Sequence, residues 1–168
     1  MGTVTDRDLG FNQILRNLRE LDGKTVKAGI LKNAGKEPNG TSLVDVAVYN
    51  EFGTSRIPSR PFLRIATDKH KTTWLNESER IVDKVLAKYN PNFSILGNEM
   101  VENIRDVIGN KSLLAPNAPA TIRKKGHDKP LIDKGKLINA LVHGNLKTDG
   151  TVDDYTGAVL FDFKIRGE

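Results

Sequence analysis

The 168 residues include no cysteine. That excludes a disulfide framework, a thiolate zinc site and a cysteine nucleophile. Aromatic residues make up only 6% of the chain, so any core must be built mainly from aliphatic side chains. No apolar run approaches the roughly 20 residues that a membrane-spanning helix requires, so no membrane partner is expected. The opening residues, Met1 to Phe11, contain no apolar h-region, and the chain therefore reads as soluble and made in a cytoplasm. The three histidines, His70, His127 and His143, are far apart and lack metal-ligand spacing. No metal and no cofactor is expected. None of the many Ser and Thr residues sits in a nucleophile elbow. Gly35-Lys36 lies in a loop, but the Gly-x-x-x-x-Gly-Lys-Ser/Thr order of a phosphate-binding loop is absent. Paired carboxylates such as Asp153-Asp154 and Glu77/Glu79 read as solvated charges. Nothing assembles a catalytic constellation, and the chain reads as a non-enzyme.

What is present is charge, unevenly placed. Charged residues make up 28% of the chain and the net charge is +5. Seven Lys/Arg fall between Lys111 and Lys136, against two acids, Asp128 and Asp133, so this segment alone matches the whole net charge. A basic cluster attracts phosphates or an acidic protein surface. Arg123, Lys124, Lys125 and Lys129 are its candidate contacts with DNA or an acidic partner. The segment 111–132 has little periodicity and three prolines, and it reads as one long basic loop. In the free chain it is expected to be mobile, to be cut first by protease between Arg123 and Lys129, and to order on assembly.

Apolar periodicity supplies the elements. Phe11, Ile14, Leu15, Leu18 and Leu21 place an amphipathic helix over Asp6–Leu21. Lys24–Leu31 alternates as a strand. Ser42–Phe52 is ambiguous. Val44, Val46 and Val48 favour a strand, whereas Ser42 with Asp45 resembles a capping box and Gly53 suits a helix end. A long helix is expected from Phe62 to about Tyr89, with Thr72-Thr73 and Asn76 as a weak point. Another helix follows over Ser94–Ile108, and a short one over Asp133–Leu141 with Asp133 as N-cap. Leu141–Lys147 and Ala158–Arg166 read as strands joined by Thr148–Gly157, with Asp149-Gly150 as the turn. The expected fold is one α+β domain spanning 1–168: a small antiparallel sheet of about three strands packed against several helices, with long loops.

Between Ala47 and Ala66 an apolar-patterned segment runs into Asn50-Glu51-Phe52-Gly53. A stiff connector follows, Ile57-Pro58-Ser59-Arg60-Pro61, and then Phe62-Leu63. Prolines 58 and 61 fix φ near −65° and bias Ile57 and Arg60 away from the helical region. Such a stretch aims two elements and holds Arg56, Arg60 and Arg64 between them. Guanidinium groups make paired contacts with carboxylates or phosphates.

These residues resemble a family. Asn50 to Arg64 is similar to the signature of the phage head–tail joining proteins, the tail-completion or neck proteins of the virion-morphogenesis type. A second stretch resembles that family's second signature. It comprises Leu114-Ala115-Pro116, then Thr121-Ile122, Lys129 to Asp133, and Gly135-Lys136-Leu137. Lys134 stands where the family pattern usually has threonine, and Ala140 near a usual serine. The resemblance implies a helix for Ser42–Phe52. It also implies a structural virion protein that joins head to tail or completes the tail by assembling as a ring in the neck. The implied partners are further copies of the chain, the connector and the tail-tube or tail-terminator proteins, with genome DNA in the channel. The implied location is the virion neck or tail, after synthesis in the host bacterial cytoplasm. Arg56, Ile57, Pro58, Arg60, Pro61, Phe62 and Arg64 become the expected subunit interface. On that reading Arg60→Glu should impair assembly and leave secondary structure nearly unchanged. The second reading from the residues is a non-enzymatic nucleic-acid-binding module that uses 111–136.

Overall fold

The central strand explains most of the packing. In the computed structural model, which describes residues 8–22, 24–146 and 159–164, β1 (Thr25–Ile30) lies between β2 (Leu141–Leu146) and β3 (Val159–Lys164). Both neighbours run antiparallel to it. Thr25 faces Leu146 on one side and Lys164 on the other, and Ile30 faces Leu141 and Val159. Val26, Ala28 and Ile30, on one face of β1, are at most 1% exposed, as period-2 alternation requires of a covered sheet. The fold class is α+β. The expected connector Thr148–Gly157 and its Asp149-Gly150 turn lie outside the described residues.

Six α-helices are described. Helix α1 (Phe11–Leu21) is shorter than its pattern suggests, because Asp8–Gly10 precede it in a turn. The Asp8 carboxylate accepts from the Gly10 amide and from the Asn12 side chain, which holds its pKa below the usual carboxylate value. Phe11, expected on the buried face, is 66% exposed, while the polar Asn17 is buried and donates to the Tyr89 carbonyl at 2.8 Å.

Helix α2 (Leu43–Phe52) settles the ambiguous segment. Ser42 Oγ accepts from the Asp45 amide at 3.0 Å and lies 2.7 Å from the Asp45 carboxylate. These local bonds satisfy an orphan helix-end donor, and valine alternation offers nothing comparable without a strand partner. Helix α3 (Phe62–Leu86) runs 25 residues without a break at Thr72-Thr73 or Asn76. Trp74 sits between these positions, fully buried, and donates from Nε1 to Asn103 at 2.8 Å. That burial anchors the middle of α3 to α4 (Ser94–Gly109). Helix α4 in turn packs on β1 and β2. Its Leu96, Met100, Val101, Ile104, Val107 and Ile108 are buried at helical spacing.

Two differences concern the later segments. The stretch 111–132 is not a continuous loop. It holds a 3-10 turn at Lys111–Leu113 and helix α5 (Pro119–Lys125), which starts on a proline at its first position and stops at Gly126. Seven residues are too few for periodicity to register, so only the Pro start and Gly stop could have announced it. Helix α6 is confined to Lys136–Asn139 and is led by Gly135, not capped by Asp133, and Leu141 already belongs to β2.

Candidate functional site: the arginine corner

The last turn of α2, the Pro-spaced connector and the first turn of α3 form one tightly bonded corner. Glu51 is 2% exposed. Its carboxylate accepts from the Leu63 amide at 3.0 Å and from the Arg64 amide at 3.2 Å. A side chain from the preceding helix thus caps α3, where a negative charge also meets the positive end of the helix dipole. Arg64 closes the arrangement. Its Nε donates to the Glu51 carboxylate at 3.1 Å and its Nη2 to the Glu51 carbonyl at 2.8 Å, and its guanidinium lies 5.5 Å from the Phe52 ring centroid.

The connector is held the same way. Gly53 takes φ 78°, and a Cβ there would press on the Ser59 backbone, so the corner requires glycine. Thr54 Oγ1 accepts from the amides of Arg56 and Ile57, and the Thr54 amide donates to the Ile57 carbonyl at 2.8 Å. Ser59 Oγ donates to the Glu51 carbonyl at 2.9 Å.

Arg60 joins this corner to a distant part of the chain. It is 7% exposed. Its Nε donates to the Ala115 carbonyl at 2.7 Å, Nη2 to the Pro116 carbonyl at 3.0 Å, and Nη1 to Asn50 Oδ1 at 3.2 Å. The Asn50 amide is itself oriented by a bond to the Val46 carbonyl. Burial pushes the Arg60 pKa down, but from so high a starting value that the guanidinium stays charged. The two sequence stretches around Asn50–Arg64 and Leu114–Pro116 therefore meet at a single side chain.

The seven expected interface residues divide accordingly. Arg60 and Phe62 are consumed inside the chain: Arg60 by backbone carbonyls, Phe62 by the core, where it is fully buried. Arg64 is spent on Glu51, with about half of its side chain exposed. Pro61 is half-buried at the start of α3. Arg56 and Pro58 are exposed and Ile57 is partly so. With Pro116, Ala118 and Thr121 these three line an open groove of about 490 Å³ between the corner and α5.

The basic residues also divide. Arg123 and Lys124 are exposed in the last turn of α5, where cations suit the helix dipole. Lys125 is half-buried and donates to the Lys129 carbonyl at 2.9 Å, while the Lys129 side chain is exposed. Burial lowers the Lys125 pKa, Asp133 raises it, and the Arg60 charge lowers it further. Lys111 pairs with Asp128 at 2.6 Å, and that bond holds the Asp128 pKa below its usual value. Sequence reasoning missed Glu51 and Asn50 as the polar centres of the corner. Their signal was position, two and three residues before Gly53 and nine and ten before Arg60.

Among the described residues no group of three His, Asp or Glu stands where it could hold a metal ion, and no helix is long and apolar enough to cross a membrane. No protein-family model matches the chain, and no curated protein or solved structure matches it.

Proposed function

We propose that this chain is a structural subunit of a phage virion, joining head to tail or completing the tail by assembling as a ring in the neck. The observation that carries the reading is the Arg60 bridge. The two stretches that resemble the neck-protein signatures are joined where Arg60 bonds the carbonyl of Ala115, 55 residues on. A shared signature is expected where residues build a common scaffold. The mechanism is binding. A ring needs two different patches on each subunit that close by rotation. The exposed rim of the corner, Arg56, Ile57 and Pro58, with the groove toward α5, supplies one such patch. Phe62 and Arg60 position that rim from within.

The test is assembly. The chain, alone at high concentration or mixed with phage connector and tail-tube proteins, is expected to form rings visible by electron microscopy and heavy species in sedimentation. Arg56→Glu should reduce them without changing the circular dichroism spectrum. A chain that stays monomeric at all concentrations and with all those partners would sink the reading.

The second reading, a nucleic-acid-binding module, draws on the exposure of Arg123, Lys124 and Lys129. Segment 111–136 has no aromatic residue on which a base could stack. Tight DNA binding by the monomer, with a steep loss of affinity as salt rises, favours it over the ring.

A further inference from the structure

Behind the corner lies a second, smaller recess, with a volume of about 190 Å³. Asn50 on α2, Arg60, Asn117, Lys125 at the end of α5, and Lys134 and Lys136 around the start of α6 contribute to its wall. Four of these side chains are cationic. The acids on the same wall are Glu37 and Asp133, so cations exceed acids by two. Glu37 is engaged by Lys136 at 3.5 Å. Arg60 and Lys125 sit close enough for one charge to oppose the other, and both are partly withdrawn from water. One N–H of Lys125 goes to the Lys129 carbonyl. The Asn117 side-chain NH₂ is buried without a hydrogen-bond partner among the described residues. Excess positive charge in one recess is what an incoming anionic acceptor would satisfy.

We propose that this recess is an oxyanion site that receives one carboxylate side chain of a docking protein, with Lys125 and Lys134 as its partners above the Arg60 guanidinium. A protein carboxylate fits better than a nucleic-acid strand for two reasons. The wall's cation excess is only two, which a strand's phosphates outnumber, and Glu37 and Asp133 on the same wall repel a run of phosphates. The inference goes beyond the ring reading and does not depend on it, because the recess is complete within one chain.

Titration of the isotope-labelled chain with a capped tetraglutamate peptide, followed by amide resonances, tests it. Saturable shifts are expected at Asn117, Lys125 and Lys134. Lys134→Gln, at an exposed position that folding tolerates, should weaken binding about tenfold, the scale of one lost charge-assisted bond. Lys125→Gln should do likewise. A twelve-residue oligothymidine should leave these resonances nearly unmoved. Tighter binding of the oligonucleotide at the same residues overturns the assignment. So does peptide binding that ignores both substitutions, or an absence of shifts with either probe. Each readout is made on the unassembled chain, so it stands whether or not rings form.

Discussion

Arg60 and Ala115, 55 positions apart, are joined by a 2.7 Å bond from the guanidinium Nε to the backbone carbonyl. The same guanidinium reaches Pro116 and Asn50. A lysine has no planar fork and cannot hold these acceptors together. Arg60→Lys is therefore expected to destabilise the fold by roughly 1–3 kcal/mol and Arg60→Ala by more, since part-buried carbonyls lose their donors. Thermal unfolding measures both. This reverses the expectation that Arg60→Glu would leave the fold intact and affect assembly alone. An unchanged melting temperature in Arg60→Ala would remove the bridge from the account.

Glu51→Ala leaves the Leu63 and Arg64 amides without their acceptor at a buried helix start. A loss of roughly 2–4 kcal/mol is expected, above an ordinary N-cap because two donors and the Arg64 partner are affected together. Glu51→Gln keeps one of the two acceptor oxygens and should lose less. Equal losses for the two variants would show that the charge, not the hydrogen-bond geometry, dominates. Chemical denaturation with a shared slope separates the outcomes.

Gly97 lies on α4 where that helix crosses β2, and a Cβ there would collide with the His143 ring. His143 is held in place by a 2.9 Å bond between Nε2 and Asn98 Oδ1. Gly97→Ala should therefore destabilise by about 1–3 kcal/mol, although alanine favours helix by about 1 kcal/mol over glycine. A stabilised Gly97→Ala protein would mean that the α4–β2 contact is loose.

The same histidine gives a pH dependence. Burial lowers the His143 pKa from the ordinary 6.5. Between the folded and unfolded values the unfolded chain binds more protons, so stability rises with pH there. The contribution of His143 is complete above 6.5 and is lost as pH falls toward the folded value. Melting temperature is expected to drop between pH 7 and 5, and more steeply than in His143→Gln. Parallel profiles in the two proteins would assign the drop to other groups.

The Ser42 cap offers a calibration. Ser42→Ala removes the acceptor for the Asp45 amide at a half-exposed site, and a loss of about 1 kcal/mol is expected. A negligible change would mean that tertiary packing alone holds α2.

Legibility in the sequence followed the range of the interaction concerned. Helices α3 and α4 and strand β1 were readable because each repeats one apolar period over many residues. The start of α2 was only half readable: Ser42 and Asp45 signalled a cap, the valine alternation signalled a strand, and the resemblance alone pointed to the helix that forms. The corner was readable as geometry, since Gly53, Pro58 and Pro61 act on their own backbone. Its chemistry was not. An arginine beside prolines looks the same in sequence whether it faces a neighbour or a carbonyl 55 residues away. Only the three-dimensional path of the chain decides that Arg60 and Phe62 point inward while Arg56 and Pro58 stay outside. Phe11 misled for a related reason, because periodicity marks a face and neighbours decide how far it is covered.

Helix α3, at 25 residues, spans about 37 Å at 1.5 Å per residue. At its start Glu51 and Arg64 pin it to the corner. Just past its end the Tyr89 carbonyl receives Asn17, and Lys88 reaches the Leu9 carbonyl at 2.5 Å. A rod fastened at both ends and bolted at mid-span by Trp74 behaves as a strut. Compression along its axis is borne by a continuous ladder of backbone hydrogen bonds, and sideways bending is resisted by the buried indole. Such a strut fixes the distance between the corner and the α1 end of the molecule.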